Sequence, residues 1–448
     1  MIDRVTMWQT IVLGLGLCAL LGCTEGRRSP DPRRASSPPR AAQSERAAPP
    51  TGASPSTHPS GSSSTSATAA VSAAPDDWVE RSLRAGDARF EQWLQRAEAL
   101  RLQILVTVVE PQPSGPPRLT EHGYRVDAEY VYPASAIKTF LAVATLRTLR
   151  RLSDKTGAAV DGSTRIMRCR EDRGGCKPPV ADAKGRSEAE DAEHVRLWVG
   201  QEIRKMLSYS DNDSYDRLYD IVGHRELNEE MAAIGLSTVR FHHRMNAPAS
   251  RSRVLRRVTL LPRGGRAIDI PRRVSDFEPE PTPASGLDVG TAHLGDRGRV
   301  DAPMSFAAKN YASLRDMQRL NLSLLLAEHP RALDLGLDEA ARSLLIEPMT
   351  GRLRPLRNAE RHKPLLPGVL EVLPEKRVRY VGKSGRAYGF HLENAYVEDL
   401  ESKRGMLVTA TVYANPNGVL NDDDYDYVDT TKPLLSALGK ALAVAVFG

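Results

Sequence analysis

The sequence has 448 residues, with 62 Lys or Arg, 56 Asp or Glu and a formal net charge of only +6 at pH 7. Many of the arginines behind this excess lie between Arg27 and Arg46, with no interleaved aromatic side chains, and no motif that reads a nucleic-acid groove occurs. The sequence therefore predicts no nucleic-acid partner. About 370 residues follow from Asp76 onward, which is long for one domain but suits a domain with insertions.

The first residues are typical of an exported protein. Arg4 precedes an apolar run, Ile11 to Leu21, that is too short to cross a bilayer as a helix. The run ends in Leu20-Leu21-Gly22-Cys23, which resembles the lipobox of bacterial lipoproteins. That resemblance implies a signal peptide over residues 1–22 and a lipid on Cys23. The lipid would anchor the exported protein to a membrane of the envelope, on its periplasmic or outer-membrane side. A plain signal peptide with an incidental cysteine is the alternative.

Residues 23–75 predict a disordered tether, since Pro, Ser, Ala, Thr and Arg dominate and large apolar side chains are nearly absent. The domain that follows, residues 76–448, contains the two remaining cysteines, Cys169 and Cys176, on either side of a Gly-Gly pair. In an oxidising compartment this arrangement predicts a local disulfide. A metal site would need more His or Cys ligands than stand near these two.

Hydrophobic periodicity predicts the elements of this domain. In chain order they are a helix at 78–100, strands at 102–109 and 124–132, a buried helix that carries Ser135 near its first turn, helices at 193–207, 213–222 and 227–234, a loop insertion at 244–303, helices at 313–328 and 337–345, strands at 377–381, 388–397 and 405–413, and a helix at 430–446. Strands at both ends with helices between them indicate an α+β fold.

Three short motifs follow one another in this domain: Ser135-Ala136-Ile137-Lys138, Ser210-Asp211-Asn212 and Lys383-Ser384-Gly385. Each alone occurs by chance in many long chains, but the three in this order resemble the signature of penicillin-recognising serine hydrolases, the superfamily of class A β-lactamases and penicillin-binding proteins. The resemblance implies a β-lactamase/transpeptidase-like fold. In that fold an antiparallel sheet built from both chain ends is flanked by helices, and a helical subdomain is inserted.

The residue types suit acyl transfer from an amide. Residues three apart on a helix share a face, so Lys138 stands beside Ser135 and, with a lowered pKa, can take its proton. The resemblance implies that Ser210 relays a proton to the leaving nitrogen and that Asn212 binds the amide of the substrate side chain. It also implies the other substrate contacts: a carboxylate on Lys383 and Ser384, room for substrate at Gly385, and an oxyanion hole formed by the backbone N–H groups of Ser135 and Arg386.

One expected feature departs from the class A pattern. Class A β-lactamases carry a loop with a sequence similar to W-E-P-E-L-N, and the first glutamate of this loop activates the deacylating water. The nearest match here is Phe277-Glu278-Pro279-Glu280-Pro281-Thr282, inside the insertion, which makes Glu278 the candidate base. A chance match in a Pro-rich loop is the alternative and is favoured, so acylation is predicted more firmly than turnover.

Two other groups of residues attract attention without predicting a site. His242 and His243 lack spaced partners for a metal and are expected to anchor the loop. The acidic stretch from Asp422 to Asp426 misses the EF-hand spacing, so a solvated loop is expected there.

The sequence thus predicts a lipid-anchored serine hydrolase that is acylated at Ser135 by β-lactams or peptidoglycan stem peptides. It is expected to act as a monomer without metal or cofactor. A class A-like β-lactamase is the first interpretation, and a D-alanyl-D-alanine carboxypeptidase or related penicillin-binding protein is the second. A non-catalytic envelope protein that binds muropeptides or antibiotics is the third.

Overall fold

A computed structural model describes residues 77–168, 197–247, 249–350 and 363–448 of the chain. The predicted signal peptide with Cys23, the tether, and the Cys169–Cys176 pair all lie outside the described residues.

Helices occur at both ends and through the middle of the described chain. They are α1 (Trp78–Gly86), α2 (Phe90–Gln95), α3 (Lys138–Thr156), α4 (Val199–Ser208), α5 (Asn212–Val222), α6 (His224–Ala233), α7 (Ala249–Ser252), α8 (Leu314–Leu325), α9 (Glu339–Thr350), α10 (Leu366–Leu370) and α11 (Lys432–Phe447). Tighter 3-10 turns cover Ala134–Ile137 and Glu375–Arg377, and a π-helical turn, Tyr427–Thr431, leads into α11.

The strands fall into one large sheet and several small ones. They are β1 (Gln103–Glu110), β2 (Arg118–Tyr124), β3 (Arg165–Arg168), β4 (Leu197–Trp198), β5 (Val254–Leu255), β6 (Val258–Leu261), β7 (Ile268–Ile270), β8 (Arg273–Val274), β9 (Asp288–Val289), β10 (Ala292–Gly295), β11 (Gly298–Val300), β12 (Met304–Ser305), β13 (Val378–Gly382), β14 (Gly385–Ala387), β15 (Phe390–Asp399), β16 (Gly405–Tyr413) and β17 (Val419–Leu420).

The large sheet is antiparallel, with the order β13-β15-β16-β1-β2, and β14 pairs with the other end of β15. Its central pair joins the two ends of the domain, since Val106 of β1 lies opposite Val408 of β16. Strands alternate their side chains between faces, so one face packs on the terminal helices α1, α2 and α11 and the other on the helical subdomain. The predicted α+β architecture, with a sheet built from both chain ends, is confirmed.

The buried helix predicted behind Ser135 is also confirmed. In α3 every side chain from Lys138 to Leu146 is buried, because the helix runs through the middle of the helical subdomain. Helix α11 is also largely buried, and its leucines fill the core on the opposite face of the sheet. Apolar residues on most sides of a helix therefore mark two core helices, one in each half of the fold.

The strand predicted at 124–132 is wrong. The edge strand β2 ends at Tyr124, and the chain then turns through Arg125 and Asp127, whose backbone φ angles of 51° and 65° cannot continue a strand. The alternation of apolar and polar residues that predicted this strand has another cause. Tyr130 and Tyr132 are buried in an aromatic cluster with Phe306 and Phe390 rather than in the sheet.

The segment predicted as a loop insertion, residues 244–303, contains more regular structure than expected. It includes the short helix α7 and the strands from β5 to β11, several of them only two residues long. Within the described residues, three strand pairings attach it to the rest of the fold: β6 to β3, β10 to β17 and β9 to β12. Such short strands carry too little periodicity to be found from sequence.

Candidate active site

The turn that carries Ser135 is held from behind by the core. Ser135 lies in the 3-10 turn before α3, one residue after Ala134, whose φ of +44° is unusual for a residue with a side chain. Ala136, Ile137 and the first turns of α3 are buried. Such a strained backbone persists only where the surrounding packing determines it, so the position of the Ser135 hydroxyl is fixed by the fold.

Lys138 is the centre of a hydrogen-bond cluster. Its side chain is fully buried, and Nζ lies 3.0 Å from Ser135 Oγ and 2.6 Å from Asn212 Oδ1. The carbonyl oxygen and Oγ of Ser210 lie 2.6 and 3.3 Å from the same Nζ. Burial, together with the positive charge of Lys383, lowers the pKa of Lys138 to about 6. At neutral pH the amine is therefore mostly uncharged and able to accept a proton.

The Ser210-Asp211-Asn212 turn is stabilised by a polar network behind it. Asp211 caps α5 by accepting the backbone N–H of Ser214 at 2.6 Å. Glu202 of α4, fully buried, accepts from Ser214 Oγ at 2.8 Å and from Arg217 Nε at 2.6 Å. This network holds the Asp211 carboxylate at the start of α5, from where its charge still acts on Lys138, while Ser210 and Asn212 contact the amine directly.

The third motif brings a second lysine to the same point. Lys383 follows β13, is buried, and donates from Nζ to Ser210 Oγ at 3.1 Å and to the carbonyl oxygen of Ser384 at 3.0 Å. Burial lowers the pKa of Lys383 to about 8, against the opposing influence of Glu393. Ser210 thus lies between the two lysines, where it can pass a proton from one side of the cluster to the other.

Gly385 allows β14 to approach the nucleophile turn. A Cβ at this position would lie 2.1 Å from the carbonyl oxygen of Pro133 and 2.9 Å from the backbone nitrogen of Ser135. Only glycine fits this approach, which places the strand that carries Arg386 next to the Ser135 amide. The guanidinium of Arg386 lies over the ring of Tyr427, 4.8 Å from its centroid.

A family model described as the beta-lactamase enzyme family matches residues 120–442, which include all three motifs. The chain belongs to the beta-lactamase enzyme family. No curated protein matches its sequence. Similar solved structures include a beta lactamase from Xanthomonas campestris, 16% identical, with a TM-score of 0.44 over 83% of this chain and 99% of that one. Another, from Burkholderia vietnamiensis, is 16% identical, with a TM-score of 0.46 over 83% and 97%.

The glutamate that would complete a beta-lactamase of class A does not join the cluster. Glu278 lies on an outer loop with its side chain 75% exposed, and its two carboxylate oxygens accept from Arg253 at 2.6 and 2.5 Å. The hydrogen bonds to Arg253 lower the pKa of Glu278. The structure therefore brings together Ser135, Lys138, Ser210, Asn212 and Lys383 but leaves Glu278 outside.

Met245 and Asn246 form a wall against α5 at Asp216, a carboxylate whose charge acts on Lys138. Asp216 lies one helical turn after Asn212 on the same face of α5, and it accepts the backbone N–H groups of Met245 and Asn246 at 2.9 and 3.3 Å. Asp220, one turn further, forms a buried ion pair with Arg244. Sequence reasoning missed this acidic face, although the spacing of Asp213, Asp216 and Asp220 was a signal for it.

The two histidines have a structural role through their backbone. Asn310 Oδ1 accepts the N–H groups of His242 and His243 at 2.8 and 3.0 Å, and this bonding fixes the start of the same wall. Within the described ranges, no group of three or more His, Cys, Asp or Glu side chains is arranged to hold a metal ion.

Proposed function

We propose that this member of the beta-lactamase enzyme family is a penicillin-recognising serine hydrolase that forms an acyl-enzyme at Ser135 and releases it slowly. The observation that carries the proposal is the 3.0 Å contact between Lys138 Nζ and Ser135 Oγ, at a lysine whose pKa lies near 6. A neutral amine at hydrogen-bond distance from a hydroxyl is a general base in place.

The proposed acylation transfers a proton from Ser135 to Lys138 and delivers one from Ser210 to the leaving nitrogen. Ser135 Oγ attacks the carbonyl carbon of the lactam or peptide while its proton passes to Lys138 Nζ. The backbone N–H groups of Ser135 and Arg386 bind the oxyanion; removing one such donor typically costs about 3–4 kcal/mol of transition-state stabilisation. The C–N bond then breaks, and the leaving nitrogen takes a proton from Ser210 Oγ, which is restored from the adjacent lysine.

The proposed substrates share an amide and a nearby carboxylate, as β-lactams and D-Ala-D-Ala stem peptides do. Lys383 and Ser384 would bind the carboxylate by a charge-assisted hydrogen bond, and Asn212 the side-chain amide. Asn212 supports this role because it is held at the cluster by its contact with Lys138.

Slow release is favoured because the two carboxylates whose charges act on Lys138, those of Asp211 and Asp216, already accept backbone N–H groups: Asp211 that of Ser214, and Asp216 those of Met245 and Asn246, which form the wall. The oxygens of Asp216 are already occupied by the N–H groups of that wall. Glu278 is held on the surface by Arg253. The penicillin-binding-protein interpretation therefore takes precedence over a fast class A enzyme, and export with a lipid on Cys23 remains part of the proposal on sequence grounds.

The test is a labelling and washout experiment on the mature protein with a fluorescent penicillin, together with hydrolysis of a chromogenic cephalosporin. Stoichiometric labelling that persists for hours supports the proposal. Rapid loss of label with fast cephalosporin hydrolysis would replace slow release by class A turnover. Absence of labelling would favour a non-catalytic binding protein.

A further inference from the structure

A buried carboxylate lies directly behind the third motif. Glu393 of β15 is fully buried, and within the described parts of the chain neither of its carboxylate oxygens has a hydrogen-bond partner in good geometry, although the hydroxyl of Tyr380 lies near. Burying a carboxylate without such partners is costly, so its presence at this point calls for a functional reason.

The position of Glu393 is defined by Gly382, the residue before Lys383. A Cβ on Gly382 would lie 2.9 Å from Glu393 Oε1 and 3.0 Å from a ring carbon of Tyr380. On β15, Leu392 belongs to the core of the helical subdomain, whereas Ala395, two residues after Glu393, packs with the terminal helices. Glu393 therefore lies behind the motif, on the face of the sheet away from the helical subdomain.

Three groups face this carboxylate. They are Lys383 after β13, the hydroxyl of Tyr380 within β13, and Lys363 before α10, whose charge also acts on Glu393. Lys138 is another titratable group near Lys383, and the positive charge of Lys383 disfavours the protonated form of Lys138. Among the residues that the structure describes, Glu393 is the acidic group whose charge acts on Lys383.

We propose that Glu393 is a positioning residue that keeps Lys383 protonated, and so able to bind the substrate carboxylate, as the pH rises. The inference rests on the proposed function of the site and assigns a residue that the three motifs do not include. Glu393 does not need to touch substrate for this role, because it acts through the ammonium group that does.

The direction of the effect follows from charge and burial. Burial raises the pKa of Glu393, and the positive charge of Lys383 opposes that rise. Burial lowers the pKa of Lys383, and the negative charge of Glu393 opposes that fall. When alkaline solution removes the proton of Glu393, the new negative charge holds the remaining proton on Lys383. Without the carboxylate, Lys383 loses its proton at lower pH.

The experiment measures acylation rates from pH 5 to 10 with a penicillin and with its methyl ester, which lacks the carboxylate. In Glu393→Gln the alkaline limb with penicillin should move to lower pH by about one unit or more, while the limb with the ester stays where it is in the wild type. Glu393→Asp should restore the wild-type limb. Glu398→Gln is the matched control, since Glu398 lies on the same strand but pairs with Arg379.

The outcomes separate the two proposals. If penicillin labels the wild type and the limb of Glu393→Gln coincides with it, the role of Glu393 is overturned while the proposed function stands. A limb that moves equally with penicillin and ester would assign a general structural role and also overturn the inference. If no penicillin labels the wild type at any pH, the proposed function fails. Should Glu393→Gln not fold, Glu393→Met takes its place, because an apolar side chain of similar size removes the charge without leaving a buried polar group. A limb of Glu393→Met that coincides with the wild type would equally overturn the inference.

Discussion

The cluster around Ser135 and the segment from Arg244 to Pro303 use charged side chains in opposite ways. In the cluster, Lys138 and Lys383 are buried, close to each other and surrounded by hydroxyl, amide and carbonyl oxygens. In the segment, arginines after Arg244 pair with acidic residues at the surface, as Arg253 does with Glu278 and Arg257 with Asp269, while Arg244 itself pairs with Asp220 in the interior. Burial shifts pKa values and creates chemistry, whereas exposure leaves the charges solvated.

This contrast explains why the motif that contains Lys138 forms part of the candidate site, whereas the motif that contains Glu278 does not. The spacing of Ser135 and Lys138 brings their side chains together because the first turns of α3 are buried on all sides. The surrounding core therefore fixes the conformation of both side chains. Glu278 matches a motif by its neighbours in sequence, but the packing around it directs it to Arg253. A motif indicates a site only where the fold confines its side chains.

The largest expected effect is at the nucleophile. Ser135→Ala should abolish covalent labelling by penicillin, because Ser135 Oγ lies 3.0 Å from the neutral amine of Lys138, in the turn against which β14 packs. Intact-mass spectrometry after incubation checks this, with Ser163→Ala at the exposed turn as the control. A wild-type mass increase in Ser135→Ala would remove the basis of the cluster interpretation.

Loss of the base should slow acylation without stopping it. Lys138→Met keeps the length and burial of the side chain but removes the proton acceptor, so labelling should fall by about 10²–10⁴-fold. Stopped-flow or quenched labelling measures the rate. Lys440→Met is the control, since Lys440 pairs with Glu371 at the surface and lies on α11. A rate within a fewfold of wild type would show that another group takes the proton.

The two kinds of ion pair should differ in stability. Asp220→Ala leaves Arg244 buried without its partner, which should lower the free energy of unfolding by about 3–5 kcal/mol. Asp269→Ala breaks an exposed pair of the same segment and should leave the melting temperature nearly unchanged. Thermal and urea unfolding measure both. Equal losses in the two variants would contradict the contrast between buried and exposed charge.

The pH dependence of acylation should report the two lysines. Below pH 6 the rate should fall about tenfold per pH unit, because protonation of Lys138, whose pKa is about 6, removes the base. Above pH 8 it should fall again for carboxylate-bearing ligands as Lys383, with its pKa near 8, loses its charge. A rate that is flat from pH 4 to 7 would exclude Lys138 as the base.

The smallest expected effect is at Glu278. Glu278→Gln should label and release penicillin as the wild type does, because its carboxylate is bound to Arg253 and does not contact Lys138. Washout half-lives measure this, with Glu280→Gln as the neighbouring control. Trapping of the acyl-enzyme in Glu278→Gln alone, with rapid turnover in the wild type, would establish Glu278 as the deacylating base.

Much of this site could be predicted from the sequence because its information is local. Ser135 and Lys138 are three residues apart, and Ser210 and Asn212 flank a helix cap. The roles of Glu393, Glu202 and Asp216 could not, because each depends on a neighbour from another element: Gly382 and Lys383, Arg217, and the Met245–Asn246 backbone respectively. The edge strand β2 was misplaced for a similar reason, since the tyrosines that alternate beyond it pack in an aromatic cluster.

The pairing of β1 with β16 has a consequence for how the chain acquires its structure. Val106 and Val408 are neighbours in the sheet but about 300 residues apart in sequence, and such long-range contacts slow folding. A chain that emerges from its N-terminus presents β1 and β2 long before β16 exists to cover them. Until then the Val-rich strand β1 is an open edge that can pair with other chains. Aggregation during synthesis should therefore depend more on substitutions in β1 than on changes of equal size in the helical subdomain.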